Sequence, residues 1–318
     1  MGQQNPALRE FAKVSVVIPA YNEAESAGPL CDKLLGVLPE LGLEWEVIFV
    51  DDGSTDGTFA QIEQRVQADG HLRALQLRRN FGKSQALSAG FAEATGDVIV
   101  TLDADLQDDP AEIPRLLEKL AEGYDVVTGW KQDRRDPFYK RWPSKVFNRM
   151  VSWAAGTRIR DVNSGFKAYR AEAARSLRIY GELYRLIPVL AHWRGFRIAE
   201  IPVQHHARRY GRSKYGAWRM VRGFLDLLTV VVLTRFLRRP LHLFGLVGAV
   251  FAVVGFALAV YLSYVRVVLN ESIGARPLLM LAVLLIITGV QLVTMGLLAE
   301  LLLNLHPPVD DRPVRRTL

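Results

Sequence analysis

The chain has 318 residues, of which 50% are hydrophobic, a formal net charge of +7 and a single cysteine, Cys31. One cysteine excludes an internal disulfide, and the length provides for a sizeable domain plus a further segment. The positive charge indicates either nucleic acid or an anionic membrane surface as a partner. Residues 1–206 have the composition of a soluble α/β domain, whereas the rest is strongly apolar with basic flanks.

The first 206 residues alternate short apolar runs with helical patterns. Strands are predicted at residues 14–18, 45–50, 72–77, 97–102 and 125–129. Helices are predicted between the first two strands, after Gly57, after Ser84 and after Pro110. This alternation predicts an α/β fold with a mostly parallel sheet and helices on both of its faces.

Polar residues directly follow three of the predicted strands. They are Tyr21, Asn22 and Glu23 after the first strand, Asp51 and Asp52 after the second, and Asp103 and Asp105 after the fourth. Ligands of open α/β sheets bind outside the carboxyl ends of the strands. We therefore expect these three groups to surround one crevice.

The acidic stretch at residues 96–110 carries the clearest sign of chemistry. Side chains alternate along a strand, so Asp103 and Asp105 point the same way if the strand continues through them. Adjacent carboxylates repel unless a cation lies between them, and oxygen ligands select Mg²⁺ or Mn²⁺ with positions open for substrate phosphates. The alternative is a solvated acidic turn before the next helix, a role that suits Asp108 and Asp109.

Residues 130–149 are rich in both basic and aromatic side chains. Such a stretch fits stacked nucleic-acid bases, a membrane surface at the level of the headgroups, or a solvated loop. Residues 216–239 place apolar side chains every three or four positions, opposite charged ones. This pattern predicts an amphipathic helix on the cytoplasmic membrane face, with packing against the N-terminal domain as the alternative.

Two segments without formal charge, residues 241–265 and 277–299, each exceed the roughly 20 residues needed to cross a bilayer. We predict two transmembrane helices, with buried core helices as the alternative, and the membrane is then favoured over nucleic acid as the partner. Basic residues concentrate at 208–239 and in the tail, so both termini and the N-terminal domain are expected in the cytoplasm. The N-terminus lacks the pattern of a signal peptide.

The predicted organisation is a domain at 1–206, a basic loop and juxtamembrane helix at 207–239, two membrane helices within 240–306 and a cytoplasmic tail at 307–318. In the first membrane helix, three glycines would permit close helix contacts, including those of a homo-oligomer. They are Gly245, Gly248 and Gly255.

Taken together, three motifs resemble those of glycosyltransferase family 2, whose fold is GT-A. They are Val-Val-Ile-Pro-Ala-Tyr-Asn-Glu at 16–23, Asp-Asp-Gly-Ser-Thr-Asp-Gly-Thr at 51–58 and Asp-Ala-Asp at 103–105. Segments at 80–83, 163–167 and 212–215, with the two apolar spans, resemble the subgroup of dolichol-phosphate mannose synthases and bacterial polyprenyl-phosphate glycosyltransferases. The resemblance implies an inner-membrane enzyme that transfers a sugar, with inversion, from a nucleotide diphosphate sugar to a polyprenyl phosphate such as undecaprenyl phosphate, without nucleic acid.

The resemblance also implies which residues bind the donor. The nucleotide pocket and donor site would include Pro19, Tyr21, Glu23, Asp52 and Lys83. The Mg²⁺ or Mn²⁺ ion and the sugar diphosphate would be held by Asp103, Asp105 and Gln107, the last on the same strand face if the extended chain persists. The segment that closes over the donor phosphates would be Arg212, Ser213 and Lys214.

For the acceptor phosphate, the resemblance implies Lys131 and Arg134, with Lys140 or Arg141 as a further basic position. Asp161 falls where related enzymes place the base. A phosphate monoester is already largely anionic at neutral pH, its second pKa being about 6, so Asp161 either takes a proton or positions the acceptor.

Three other functions are related to parts of the same pattern. A processive polysaccharide synthase is disfavoured because the chain lacks the Gln-x-x-Arg-Trp segment and additional spans. A glycosyltransferase acting on a glycerolipid stays open, and a non-catalytic, membrane-anchored nucleotide-sugar binder is less favoured because the acidic motifs are intact. The donor also stays open among UDP-glucose, UDP-linked amino sugars and GDP-mannose.

Overall fold

The structure is a computed structural model that describes residues 6–131, 159–206, 240–270, 272, 274 and 277–305. The chain divides into two compact units, Met1–Val230 and Val231–Leu318. The first unit contains the sheet that positions the candidate site, and the second contains two long apolar helices.

The described part of the first unit contains one seven-stranded sheet. Its strands are β1 (Lys13–Ala20), β2 (Glu44–Asp51), β3 (Leu72–Gln76), β4 (Val98–Thr101), β5 (Val126–Lys131), β6 (Lys167–Arg170) and β7 (Ile198–Val203). Their spatial order is β3-β2-β1-β4-β6-β5-β7. Strands β1 to β4 are parallel, β6 is antiparallel to both β4 and β5, and β7 is parallel to β5.

Six helices of the described residues cover the two faces of this sheet. They are α1 (Ala24–Val37), α2 (Thr58–Ala68), α3 (Lys83–Glu93), α4 (Ile113–Ala121), α5 (Ala171–Ser176) and α6 (Ile187–Trp193). Because side chains alternate along a strand, Val16 and Ile18 of β1 pack in the core with α1 and α4, whereas Val17 packs in the core with α3. Covering helices on both faces explain why these strands are continuous apolar runs.

The five predicted strands and the first helices are confirmed, with α3 beginning at Lys83, two residues before its predicted start. Strands β6 and β7 and helices α5 and α6 were not predicted. Strand β6 has four residues, Lys-Ala-Tyr-Arg, which are too few and too polar at the ends to give a periodic signal.

The second unit consists of α7 (Pro240–Val267) and α8 (Pro277–Leu305), which contain the two predicted spans. At 28 and 29 residues, with mean hydropathies of 2.6 and 2.5 over their most apolar windows, both are long and apolar enough to cross a membrane. A helix of 28 residues is ~42 Å long, which exceeds the hydrocarbon thickness of about 30 Å. Many of their large apolar side chains are exposed, as contact with lipid requires.

The two apolar helices pack closely on each other through small residues. A Cβ at Gly248 would lie 2.6 Å from the carbonyl oxygen of Gly289, and a Cβ at Gly255 would lie 2.8 Å from that of Ala282. Gly245 instead approaches Leu241 of its own helix. The predicted close contacts of Gly248 and Gly255 therefore form within one chain, while a homo-oligomer stays a prediction.

Candidate active site

The candidate site lies at the carboxyl ends of β1, β2 and β4, which are neighbours in the sheet. Strand β1 ends at Ala20, β2 ends at Asp51 and β4 ends at Thr101. Because the three strands are parallel, the residues that follow them meet at one edge. The predicted convergence of the three polar groups is therefore confirmed.

The loops after β1 and β2 are joined by hydrogen bonds. The backbone N–H of Asn22 donates to Ser54 Oγ at 2.9 Å, and Asn22 Oδ1 accepts the backbone N–H of Thr55 at 2.8 Å. The backbone N–H of Glu23 donates to Thr58 Oγ1 at 2.8 Å. These bonds fix the wall of the crevice that was predicted to hold the nucleotide.

Three predicted nucleotide-binding residues belong to this wall, namely Pro19, Tyr21 and Glu23. All three are half-buried, and therefore part of each stays accessible at the carboxyl end of β1. The carboxylate of Glu23 also accepts a hydrogen bond from Ser26 Oγ at 3.0 Å, which orients it at the start of α1.

Asp52 holds the loop that leads into α3. Its Oδ1 accepts the backbone N–H of Phe81 at 2.7 Å and its Oδ2 accepts that of Gly82 at 2.9 Å. Burial raises the pKa of Asp52 above its ordinary value despite these two hydrogen bonds. The adjacent Gly53 has φ +67°, and a Cβ there would lie 2.4 Å from the backbone of Arg79. The contacts of Asp52 thus place the first residue of α3, Lys83, at the site.

Asp103 lies between a lysine and a glycine. The Lys83 ammonium forms an ion pair with Asp103 Oδ1 and lies 5.1 Å from the centre of the Tyr184 ring. On the other side, a Cβ at Gly165 would lie 2.7 Å from both carboxylate oxygens of Asp103. With Asp103 in this position, residue 165 has room only for glycine. The cation beside Asp103 balances part of the acidic charge at this edge.

The geometry predicted for Asp103, Asp105 and Gln107 as alternating residues of an extended strand is wrong. Strand β4 ends at Thr101, and residues 104–105 form a turn. Asp105 is 7% exposed, and its Oδ1 accepts the backbone N–H of Gln107 at 3.2 Å across Leu106, which has φ +59°. An aspartate that bonds to the backbone two residues ahead stabilises a turn in place of a strand.

Past the turn, the chain bonds to the segment that follows β7. The backbone N–H of His206 donates to the carbonyl oxygen of Gln107 at 2.8 Å, and His205 Nδ1 lies 3.3 Å from Asp108 Oδ1. Asp109 caps the short 3₁₀ turn Pro110–Glu112 by accepting the backbone N–H of Ala111, which confirms its predicted role at a helix start.

In the described part of the chain, the candidate metal ligands do not form a complete site by themselves. Among the described residues, no three His, Cys, Asp or Glu side chains are grouped closely enough to form a complete metal site. Two carboxylates and an amide oxygen are nevertheless the hard donors that Mg²⁺ and Mn²⁺ prefer, and such ions take further ligands from water and substrate phosphates. The chemistry of Asp103, Asp105 and Gln107 therefore fits an ion shared with a diphosphate.

Asp161 lies in a loop that runs back toward Asp103 through Gly165, whose carbonyl oxygen accepts a hydrogen bond from Thr101 Oγ1 at 2.9 Å. Asp161 is 1% exposed. Its backbone N–H, like that of Arg160, donates to the carboxylate of Glu200 on β7. Burial raises the pKa of Glu200, and these backbone N–H donors act against that rise.

Five predicted site residues remain, and the structure describes only the backbone of one of them, Lys131. Lys131 ends β5, where its backbone pairs with Val203 of β7, and its side chain is outside the described part. Four predicted site residues, Arg134, Arg212, Ser213 and Lys214, lie outside the described residues, as do most of the basic and aromatic stretch and the amphipathic segment.

The sequence motifs did not include Glu200 or Tyr184. Lys167 belongs to the segment at 163–167 without an assigned role, and its buried ammonium donates to the carbonyl oxygen of Ser164. A charged residue in the otherwise apolar run at 198–203 was the available signal for Glu200, and it is a weak one.

The fold is of the GT-A type. It is similar to glucosyl-3-phosphoglycerate synthase from Mycobacterium tuberculosis in complex with Mn²⁺, UDP and phosphoglyceric acid, with a TM-score of 0.57 and 22% identity over 73% of this chain and 84% of that one. The complex of the same synthase with Mg²⁺ and UDP gives a TM-score of 0.56 and 22% identity over 73% and 86% of the two chains.

Residues 15–178 match the model of the family described as Glycosyl transferase family 2. The chain is also 37% identical over 306 residues to dodecaprenyl-phosphate galacturonate synthase of Rhizobium johnstonii. This alignment covers 95% of this chain and 90% of the relative. This protein therefore belongs to glycosyltransferase family 2, as its motifs indicated.

Proposed function

We propose that this protein is a membrane-bound, inverting glycosyltransferase that moves a sugar from a nucleotide diphosphate sugar to a polyprenyl phosphate such as undecaprenyl phosphate. The observation that carries the proposal is the 37% identity to dodecaprenyl-phosphate galacturonate synthase over 95% of the chain. An alignment of that length includes both the first unit, with the candidate site, and the two apolar helices of the second unit. A lipid-linked acceptor explains why a GT-A domain is joined to helices that can enter a bilayer.

The donor diphosphate would bind at the edge that carries Asp103, Asp105 and Gln107. A bound Mg²⁺ or Mn²⁺ ion would supply positive charge that stabilises the leaving diphosphate. Lys83 adds a cation of the chain itself at the same edge. Residues 212–214, with two further cations, would close over the donor phosphates once these arrive.

In the reaction, an oxygen of the acceptor phosphate attacks the anomeric carbon while the bond from that carbon to the nucleotide diphosphate breaks. A single displacement inverts the anomeric centre, so an α-linked donor gives a β-linked product. Lys131 and Arg134 would align the acceptor phosphate. Asp161 would either take the remaining proton of that phosphate or orient it, and the pH profile of Asp161→Asn distinguishes the two roles.

We also propose that α7 and α8 anchor the protein in the inner membrane, with both termini and the first unit in the cytoplasm. The basic residues at 208–239 and in the tail support this orientation through the positive-inside rule. Single cysteines introduced at residue 272 and in the tail would test it, because only the former should react with an impermeant maleimide added outside intact spheroplasts.

The function is tested with purified protein in detergent, undecaprenyl phosphate and a panel of labelled donors. The panel contains UDP-galacturonic acid, UDP-glucose, a UDP-linked amino sugar and GDP-mannose. The expected result is metal-dependent transfer of label from one donor into organic solvent, with a β-linked product by NMR. A parallel reaction with a glycerolipid acceptor should give none.

Three outcomes of this assay contradict the proposal. Transfer to the glycerolipid alone would assign a different acceptor class. An α-linked product would exclude the single displacement. No transfer from any donor, beside an active control enzyme, would refute the catalytic assignment and favour a nucleotide-sugar binder.

A further inference from the structure

The loop that carries Asp161 is fixed from β7 by one side chain. The backbone N–H of Arg160 lies 2.9 Å from Glu200 Oε1 and 2.8 Å from Glu200 Oε2, and the backbone N–H of Asp161 donates to Oε1 at 2.9 Å. A carboxylate that accepts backbone N–H groups forms charge-assisted hydrogen bonds, which are shorter and stronger than neutral ones. One side chain thus sets the backbone position of two successive residues.

Glu200 is itself well placed to impose that position. It lies inside β7 and pairs in register with Thr128 of β5, so its backbone belongs to the sheet. The two residues it contacts lie in a loop with no strand or helix assignment. In this contact the sheet residue Glu200 therefore holds the backbone of the loop in place.

A second contact holds the same loop from β5. The guanidinium of Arg160 lies over the ring of Trp130 at 4.6 Å, a cation–π arrangement. Trp130 directly precedes Lys131, and Arg160 directly precedes Asp161. The contacts of Trp130 and Glu200 consequently fix the backbone before Asp161 relative to the end of β5.

We propose that Glu200 is a positioning residue for sugar transfer, which fixes the backbone of Arg160 and Asp161 and thereby aims the Asp161 carboxylate at the acceptor phosphate. The inference rests on the proposed function, because that function assigns Asp161 to the reacting phosphate. Displacing a reactive group by about 1 Å can cost on the order of 100-fold in rate, so an indirect contact of this kind has a large effect on turnover.

Glu46 provides a matched control for a purely structural carboxylate. It is also buried on the sheet and accepts a backbone N–H, that of Thr95 at 2.8 Å, but it lies near the amino ends of the strands. Glu46→Gln should therefore weaken the fold as Glu200→Gln does, without displacing Asp161.

The test compares Glu200→Gln, Glu200→Leu and Glu46→Gln in the full-length protein. Glutamine keeps one acceptor oxygen and the shape of the side chain. We therefore expect Glu200→Gln to fold even if Glu200→Leu does not. We expect kcat of Glu200→Gln to fall by about 10- to 100-fold with donor KM changed by less than about threefold. Glu46→Gln should keep the wild-type kcat at a temperature where it is folded.

Hydrogen exchange read by mass spectrometry gives a readout that does not depend on activity. The peptide containing Arg160 and Asp161 should exchange faster in Glu200→Gln than in the wild type, and at the wild-type rate in Glu46→Gln. An unchanged exchange rate, an unchanged kcat, or an equal loss of kcat in Glu46→Gln would each overturn the positioning role. If the wild type transfers no sugar from any donor, the proposed function fails first, and the positioning role is overturned with it whatever the exchange data give.

Discussion

The pKa values of buried carboxylates are shifted in opposite directions at the two ends of the sheet. Near the amino ends of the strands, Glu46 accepts hydrogen bonds from Ser15 Oγ, from the backbone N–H and hydroxyl of Thr95, and from Arg73. Burial opposes ionisation of Glu46, but these donors outweigh it and lower its pKa to about 2. At the carboxyl ends, two backbone donors do not outweigh burial, which raises the pKa of Asp52.

This difference separates a stabilising end from a ligand-binding end. At the amino end, donors from two strands and a loop bond to the Glu46 carboxylate, so the folded chain satisfies that charge by itself. Four aspartates, Asp51, Asp52, Asp103 and Asp105, lie at or just beyond the carboxyl ends of β2 and β4, and Lys83 forms an ion pair with Asp103. An edge with excess negative charge is suited to a divalent cation and the phosphates that accompany it. Substitutions at the two ends should therefore affect different quantities.

The largest expected effect is that of Asp105→Asn at the carboxyl end. The amide can still accept the backbone N–H of Gln107, so the turn and the melting temperature should be retained, while the charge that would hold the metal is lost. We expect turnover to fall by about 1,000-fold, or ~4 kcal/mol in transition-state stabilisation, measured as label transferred at saturating metal.

The matched control for Asp105→Asn is Asp109→Asn. An asparagine at position 109 can still cap the 3₁₀ turn by accepting the N–H of Ala111, and turnover should stay within about twofold of the wild type. Full turnover by Asp105→Asn in divalent metal would show that the metal site has been assigned to the wrong residue.

A smaller effect is expected when the glycine beside Asp103 is enlarged. The methyl group of Gly165→Ala would lie 2.7 Å from the Asp103 carboxylate, which must then move. We expect turnover to fall by about 100-fold, together with weaker binding of UDP in the presence of Mn²⁺ by calorimetry.

Gly36→Ala is the control for Gly165→Ala, since a Cβ at position 36 meets nothing within 4 Å. It lies in α1, where the change should raise the free energy of unfolding by about 0.4–1 kcal/mol and leave turnover unchanged. If Gly165→Ala bound UDP and turned over like the wild type, the position of the Asp103 carboxylate would not matter for donor binding or turnover.

The smallest effect on turnover is expected from Glu46→Gln at the amino end. The change leaves buried donors partly unsatisfied and should lower the free energy of unfolding by about 1–3 kcal/mol at pH 7, measured by denaturant titration with tryptophan fluorescence. Turnover per folded molecule should match the wild type. A loss of turnover without a loss of stability would contradict the division between the two ends.

The pH dependence of this loss follows from the lowered pKa of Glu46. Its folded-state pKa of about 2 lies below the ordinary glutamate value of 4.5, so its ionised form stabilises the folded state at all pH values above about 4.5. That contribution is lost as the pH falls from about 4.5 toward 2. The stability difference between the wild type and Glu46→Gln should therefore shrink over that window, and a constant difference would contradict the assigned hydrogen bonds.

The sequence by itself determined the first five strands, the helices between them, the two apolar spans and the convergence of three polar groups. Each of these depends on local information, because apolar runs, helical spacing and breakers such as Gly53 act over a few residues. The order of the motifs then identified the family, and the parallel arrangement followed from the alternation of strands and helices.

Only the tertiary structure decided how the site residues are held. Strand β6 inserts antiparallel between β4 and β5, which brings Gly165 against Asp103 across 62 positions of the chain, and β7 brings Glu200 to Asp161 across 39. Pairings between such distant residues leave no periodic trace in either partner. The turn at Asp105 was missed for a related reason, since its side chain bonds to the backbone of Gln107 where alternation alone predicts a strand.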